Sequence, residues 1–167
     1  VYDGPALASF PYATSGSFFV ENVDNPTFTV EVGLNTVTGS DRTVAITIDQ
    51  ENSTAENGKH VNVPSEVTIP ANQATGTLDI TGIYSELPNQ PLTLTLKIEG
   101  EYSAAYDNSF TLSVNKFVPF DIANFTGTFE CVEQSNFGIF TYDVTVTQVD
   151  GTDDQVSIEP FGGGMEA

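Results

Sequence analysis

The 167-residue sequence has no tryptophan, one cysteine and one histidine. Cys131 cannot form an intramolecular disulfide, so the fold must be stabilised by packing alone. We expect Cys131 to be a small buried residue on the same strand face as Phe129. His60 cannot belong to a multi-histidine metal site, and a zinc site that also used Cys131 would need two carboxylates from elsewhere. We therefore expect His60 to be a solvated loop residue.

Basic residues are scarce as well. The chain has four, Arg42, Lys59, Lys97 and Lys116, against 23 acidic residues, which gives a formal net charge of −19. A surface field of this sign repels phosphate backbones and anionic lipid headgroups. The composition therefore excludes nucleic-acid binding and direct binding to a membrane surface. It is typical of a protein kept soluble outside the cell by its charge.

No apolar run approaches the ~20 residues that a membrane-spanning helix needs. The amino end also lacks the basic segment followed by an apolar one that marks an export signal. We expect any export signal or lipid anchor to lie upstream of Val1, outside this chain. The segment from Val1 to Pro11 contains the pairs Gly4-Pro5 and Phe10-Pro11 and is expected to be irregular.

What the sequence does contain is an alternation of apolar and polar residues with a period of two. In the first run the even-numbered residues are apolar and share one face, as a half-buried strand requires: Phe28, Val30, Val32 and Leu34. The same period recurs at 44–48, 67–69, 78–80, 92–98 and 110–114, between turns rich in Gly, Pro, Asn or Asp. No window shows helical periodicity, although a single helical turn fits 102–106. The pattern predicts an all-β, antiparallel sandwich.

The first pattern ends near residue 116, which places a module boundary there. A second set of predicted strands follows at 125–132, 138–148 and 155–161. We therefore divide the chain into a sandwich domain, 1–116, and a smaller β-meander module, 117–167. Three strands bury too little surface to offset the entropy of their chain. The second module is expected to pack on the first, to continue as a larger domain in residues outside this chain, or to pair with another chain.

The segment from Ser53 to Gly82 resembles Calx-β domains, in which a loop with Thr-Ala and Gly precedes two strands joined by a proline-containing turn. The whole layout is more similar to an immunoglobulin-like, Calx-β-like domain of exported lipoproteins of gut Bacteroidota, which occurs beside polysaccharide-uptake systems. The matching features are Gly4-Pro5, Phe18 with Val20-Glu21-Asn22, Thr54-Ala55 with Gly58, Thr68-Ile69-Pro70-Ala71 with Gly76, and the run 92–96. The stretch FDIANFTGTFECVEQ, after Pro119, is similar to the opening of the second domain of those proteins.

This resemblance implies an exported protein that is lipid-anchored upstream of Val1, at the outer membrane, on the cell surface or in the periplasm. It would act as an accessory or glycan-binding component of polysaccharide uptake, with polysaccharide or other envelope proteins as partners. The alternative is a structural or adhesion module without a sugar ligand. Such a module would dock a protein through an exposed strand edge or through its carboxyl-terminal unit.

Calcium is the cofactor that the resemblance suggests. Calx-β domains that bind calcium carry an acidic cluster after the strand corresponding to 78–81, whereas here Ile83–Pro88 supplies only Glu86. Calcium takes about 6 to 8 oxygen ligands, so this position is disfavoured. The best local candidates for a cation site are three carboxylates of one hairpin loop, Asp150, Asp153 and Asp154, although such loops also occur simply as soluble surface. A looser acidic loop holds Asp49, Glu51 and Glu56.

Catalytic residues are not indicated. A Ser-His-Asp triad would have to use His60, no serine lies in a Gly-x-Ser-x-Gly turn, and Ser53 is merely close in sequence. A pair of carboxylates could cleave glycosides, but 23 acidic residues nominate no particular pair. The sequence therefore predicts a protein that is not an enzyme.

Three tyrosines are the sequence-based candidates for a sugar site. Sugar binding requires aromatic faces together with a few polar anchors, and the lack of tryptophan weakens this interpretation. Tyr84, Tyr102 and Tyr106 lie outside the predicted core faces. They would bind sugar rings, or they would simply cover the ends of the sandwich.

Overall fold

The computed structural model describes residues 4–104, 106 and 108–159. The predicted all-β fold is confirmed, and each predicted run from 27 to 114 lies within a strand. The strands of the described residues are β1 (Ala8–Ser9), β2 (Ser15–Val20), β3 (Thr27–Leu34), β4 (Arg42–Ile48), β5 (Val61–Asn62), β6 (Glu66–Ile69), β7 (Thr75–Gly82), β8 (Leu92–Glu99), β9 (Ser109–Lys116), β10 (Gly127–Ser135), β11 (Gly138–Gln148) and β12 (Val156–Glu159).

Helical structure in this part of the chain is limited to two short 3-10 helices, Tyr84–Glu86 and Ile122–Phe125. No helix among the described residues is long and apolar enough to cross a membrane. The single helical turn expected at 102–106 is wrong for the residues that the structure describes. Ser103 instead closes a turn by donating its N–H to the Gly100 carbonyl at 3.2 Å. Residue 105 and the end of the last predicted strand, 160–161, lie outside the described residues.

The chain forms two compact units, which divide between Val118 and Pro119. We call the first the sandwich unit and the second the meander unit. In the sandwich unit, one sheet has the strand order β1-β3-β7-β5 and the other the order β2-β9-β8-β4-β6. Every pair is antiparallel except β2 with β9, which run parallel. Because β1 and β2 belong to different sheets, the chain crosses from one layer to the other around residues 10–14, as in immunoglobulin-like sandwiches.

The core lies between the inner faces of these two sheets. The period-2 positions predicted to be apolar point inward, and many are completely inaccessible to solvent, among them Val32, Ile80, Leu94, Leu112 and Val114. Burying one such side chain contributes about 1.5–3 kcal/mol. The segment expected to be irregular near the amino end contains β1, so that expectation is wrong at Ala8–Ser9. The segment also contributes to the core, since Ala8 and Phe10 are buried.

The Thr-Ala loop that carries the Calx-β resemblance is part of the hydrogen-bonded framework. Beyond Ile48, β4 no longer pairs with β8, and the loop takes its place beside that strand. The N–H of Thr95 donates to Ser53 Oγ at 2.9 Å, and the N–H of Thr93 donates to Thr54 Oγ1 at 2.8 Å. In return, the N–H groups of Thr54 and Ala55 donate to the Thr93 carbonyl. Ser53 therefore has a structural role at the edge of β8.

Gly76 is the second element of the resemblance that the structure explains. It lies on β7 where this strand passes close to β6 of the other sheet. A Cβ atom at this position would lie 2.4 Å from the carbonyl oxygen of Thr68. Since the obstructing atom belongs to the backbone, only glycine allows the two strands to approach this closely.

We expect Gly76→Ala to lower the free energy of unfolding by about 1–3 kcal/mol, the usual cost of overpacking. Gly39→Ala is the matched control, because no atom lies within 4 Å of the Cβ that it would add. That substitution should be neutral or stabilise the protein by up to ~1 kcal/mol through the unfolded chain. Urea unfolding of both variants measures the difference, and equal effects would show that the close approach of β6 and β7 is not required.

The meander unit is a single antiparallel sheet with the order β10-β11-β12. The register places Phe129 opposite Val144 and Cys131 opposite Tyr142. One face of this sheet is therefore largely apolar, although Glu133 and Gln148 also lie on it. We call its apolar part the meander face: Phe129, Cys131, Phe140, Tyr142, Val144, Val146, Val156 and Ile158.

The meander face is largely uncovered. Phe140 is 50% exposed, Phe129 44% and Ile158 42%, whereas Val146 is buried. The expectation that Cys131 would be buried is wrong, since it is only half-buried. The physical reason is that the described strands of the meander unit form one sheet and supply no second layer of their own.

Candidate functional site

The three tyrosines predicted from the sequence do not form one site. Tyr84 lies in the first 3-10 helix and packs against the core, with the Lys116 ammonium 4.7 Å from its ring centroid. Tyr102 follows the far end of β8 and also packs against the core. The length of β8, roughly 25 Å, separates these two ends of the sandwich. Tyr106 is 66% exposed, and the residues on either side of it lie outside the described residues.

His60 is buried, so its expected role as a solvated loop residue is wrong. It is 7% exposed, and its Nδ1 accepts a hydrogen bond of 3.0 Å from the N–H of Glu56. Its carbonyl accepts another, of 2.9 Å, from the N–H of Ile83. The imidazole therefore closes the turn before β5, and the His60 backbone carbonyl joins this turn to the chain that leaves β7. Neither contact involves Ser53 or a carboxylate, as a catalytic triad would require.

The predicted cation site does not assemble in the residues that the structure describes. In this part of the chain no group of three His, Cys, Asp or Glu side chains is arranged to hold a metal ion, and Asp150, Asp153 and Asp154 all lie within it. Their loop is organised by its own turn, in which Thr152 donates both N–H and Oγ1 to the Val149 carbonyl. Gly151 adopts a positive φ of 79° there.

Asp49 is the acidic side chain with the best-defined environment. Its Oδ2 lies 2.8 Å from Lys97 Nζ and accepts a hydrogen bond of 2.7 Å from Asn52 Nδ2. Its Oδ1 accepts a hydrogen bond from the N–H of Glu51. The hydrogen bond and the charge of Lys97, with the hydrogen bond of Asn52, lower the pKa of Asp49 from 3.8 to about 2. The group is thus a structural anchor for the start of the Thr-Ala loop.

Because the folded pKa of Asp49 is depressed, its contribution to stability is present above the unfolded pKa and is lost as the pH falls through about 2. We expect Asp49→Asn to be less stable than the parent at pH 7, with a difference that shrinks between about pH 5 and about pH 2. Urea unfolding of both proteins across this range measures the effect. In a Lys97→Met background, Asp49→Asn should lower the free energy of unfolding by less than it does in the parent. An equal loss in both backgrounds would exclude the ion pair with Lys97 as the cause.

A groove opens where the chain crosses between the sheets. Its volume is about 260 Å³. The lining residues come from the crossover segment, from β3 and from β9: Tyr12, Ala13, Ser15, Phe28, Thr29, Val30, Glu31 and Phe110. We call it the edge groove, because it follows the edge of β3 that is not paired with β7.

Aromatic rings form the floor of the edge groove. The ring centroids of Phe28 and Phe110 are 6.4 Å apart, and Phe18 lies 5.7 Å from Phe28. Gly16 leaves room for this cluster, since a Cβ there would lie 2.8 Å from Phe28 Cζ. At the mouth of the groove, the side chain of Tyr12 is 76% exposed. The groove therefore combines an apolar floor with an accessible aromatic ring.

Polar groups line the β3 side of the groove. In the described ladder β1 pairs only with Gly33 and Leu34. The N–H of Leu34 points toward β7 and that of Asn35 toward β1, so the alternation of an antiparallel strand directs the backbone groups of Thr29 and Glu31 to the open edge. Thr29 Oγ1 also donates a hydrogen bond of 2.6 Å to Asp79 Oδ1.

Tyr12 is the residue that sequence reasoning missed. It follows Pro11, directly after the segment expected to be irregular, and the only signal was an aromatic residue outside any period-2 run. Its proximity to Phe28 and Phe110 depends on the change of sheet between β1 and β2. No local pattern encodes this shared lining, which brings Tyr12 and Phe110 to one groove although they are about a hundred positions apart.

Comparison with known families adds the evolutionary context. Residues 14–116 match the model of a family described as a domain of unknown function, DUF4843. The chain belongs to the DUF4843 family. No protein of curated function matches it. The match covers β2 to β9, the strands that form most of the sandwich unit.

Solved structures show the same fold at low sequence identity. A candidate carbohydrate-binding protein from Bacteroides ovatus is 14% identical, with a TM-score of 0.53, over 87% of this chain and 43% of its own. A two-domain protein of unknown function from Bacteroides fragilis is also 14% identical, with a TM-score of 0.53, over 79% of this chain and 49% of its own. The apo-form Calx CBD1 domain is 13% identical, with a TM-score of 0.51, over 69% of this chain and all of its own. The chain thus spans about half the length of the two Bacteroides proteins, and the resemblance to Calx-β domains is confirmed for the fold.

Proposed function

We propose that this DUF4843 protein is a non-enzymatic, exported envelope protein that binds glycans in the edge groove. The observation that carries the proposal is the exposed ring of Tyr12 beside a groove with a phenylalanine floor. Aromatic rings contact the apolar faces of sugar rings, and nearby polar groups fix the orientation of the hydroxyls. Thr29, Glu31 and the open edge of β3 supply such groups.

The setting of the protein is part of the same proposal. We place it outside the cytoplasm, held by a lipid anchor upstream of Val1, as an accessory component of polysaccharide uptake. The resemblance to exported lipoproteins supports this placement, and so does the candidate carbohydrate-binding protein of Bacteroides ovatus with the same fold. A function without catalysis agrees with the roles of His60 and Ser53, which are engaged in structural hydrogen bonds.

Binding to a glycan array, in calcium and in chelator, tests this function with the full chain. Truncation of a central aromatic contact costs about 2 kcal/mol or more, so Tyr12→Ala should weaken binding by roughly 30-fold. Tyr12→Phe, which keeps the ring, should retain most of the affinity. Tyr106→Ala is the matched control, since it removes another tyrosine that is largely exposed, at 66% against 76%. Loss of binding in Tyr106→Ala alone would move the site to that loop.

A second candidate function is favoured by the meander face. Exposed apolar patches flanked by polar residues are typical of protein interaction surfaces. Between 119 and 159 the chain has eight acidic residues and no basic one: Asp121, Glu130, Glu133, Asp143, Asp150, Asp153, Asp154 and Glu159. Charge complementarity therefore points to a protein partner with an apolar strand or face that is flanked by lysines or arginines.

Fluorescently labelled peptides of alternating Leu-Lys and alternating Leu-Glu sequence serve as probes of this surface. We expect the Leu-Lys peptide to bind and the Leu-Glu peptide to fail, as measured by anisotropy. Phe129→Thr with Phe140→Thr should abolish binding. The matched control is Val132→Thr with Ile139→Thr, which removes apolar residues that are 63% and 69% exposed on the opposite face of the same sheet. Equal loss in both double variants would show that the meander face is not the docking surface.

A further inference from the structure

All four basic side chains of the protein make contacts within the sandwich unit. Arg42 is the most enclosed, at 7% exposure. Its Nη1 donates to the Thr36 carbonyl at 2.6 Å and its Nη2 to the Gln73 carbonyl at 2.8 Å. The guanidinium thus joins the loop after β3 to the loop before β7. It is not accessible to a ligand.

The three lysines are also engaged. Lys97 pairs with Asp49 at 2.8 Å, and Lys59 pairs with Glu56 at 2.9 Å. Lys116 donates to the Leu87 carbonyl at 3.1 Å and lies over the ring of Tyr84. Since the whole sequence has only these four basic residues, no further lysine or arginine is available for recognition.

The edge groove contains charge of the opposite sign. Glu31 lines the groove. The Asp79 carboxylate accepts a hydrogen bond from the hydroxyl of Thr29, which also lines it. Of the described residues that line the groove, none is basic. The rest of the protein adds to this field, because its formal net charge is −19.

From this distribution of charge we infer that the glycan bound in the edge groove is neutral, and that uronic-acid and sulfated polysaccharides are rejected. The inference rests on the proposed glycan-binding function and names its ligand class. An acidic sugar placed against Glu31 would bring a second negative charge into the groove without a cation to compensate it. Neutral sugars suit the same groups, because carboxylate oxygens accept hydrogen bonds from hydroxyls.

Matched pairs of polysaccharides with one backbone test the inference with the full chain. Three pairs of probes are immobilised at equal density, and each pair has a neutral and an acidic member. They are dextran and dextran sulfate, fully methyl-esterified polygalacturonate and free polygalacturonate, and a neutral xylan and a glucuronoxylan. Binding is measured in 50 mM and 500 mM NaCl for the parent protein and for Tyr12→Ala.

We expect the parent to bind at least one neutral member at ten times or more the level of its acidic partner. That binding should require Tyr12 and should change less than about twofold between the two salt concentrations, because it involves no ion pair. Binding of an acidic member that is lost in Tyr12→Ala would overturn the neutral-ligand inference and leave glycan binding standing. Failure to bind any member of any pair would overturn the proposed function together with the inference.

Discussion

Apolar packing between the two sheets of the sandwich unit is the interaction on which the rest of the structure depends. A chain with one cysteine has no intramolecular disulfide to hold the layers together, so the stability must come from buried side chains such as Ile80 and Leu94. At the crossover from β1 to β2 the two sheets leave a gap in this packing. β1 lies in one sheet and β2 in the other, and the gap left along β3 becomes the edge groove. The candidate site therefore results from the change of sheet between β1 and β2.

Positive and negative side chains have different roles in this protein. Three of the four cations join segments that are far apart in sequence, as Arg42 does between Thr36 and Gln73, whereas Lys59 pairs with Glu56 in its own turn. The carboxylates outnumber them nearly six to one. A carboxylate such as Asp49 is stabilised by its lysine, and its pKa falls accordingly. The formal net charge of −19 that results makes the field around the protein negative.

The two units show that one sequence pattern leads to different outcomes. Both alternate apolar and polar residues with a period of two, and both form antiparallel sheets. In the sandwich unit a second sheet covers the apolar face, and Leu112 is completely buried. In the meander unit Phe140 occupies an equivalent position on its strand but remains half exposed. Periodicity determines which side chains share a face, whereas burial requires a second layer.

The sequence alone was enough to predict the fold class, the longer strands and which residues share a face of each, because the direction of a side chain in a strand follows from its local position; the two-residue strands β1 and β5 were not predicted. It also identified Gly76 and the Thr-Ala loop through a resemblance to other proteins. Tertiary structure alone decided that His60 is buried, that Tyr84 and Tyr102 lie at opposite ends, and that Tyr12 stands beside Phe28 and Phe110. These positions depend on residues that are distant in sequence and on which sheet each strand enters. No local periodicity carries that information, since it arises only when the two layers pack.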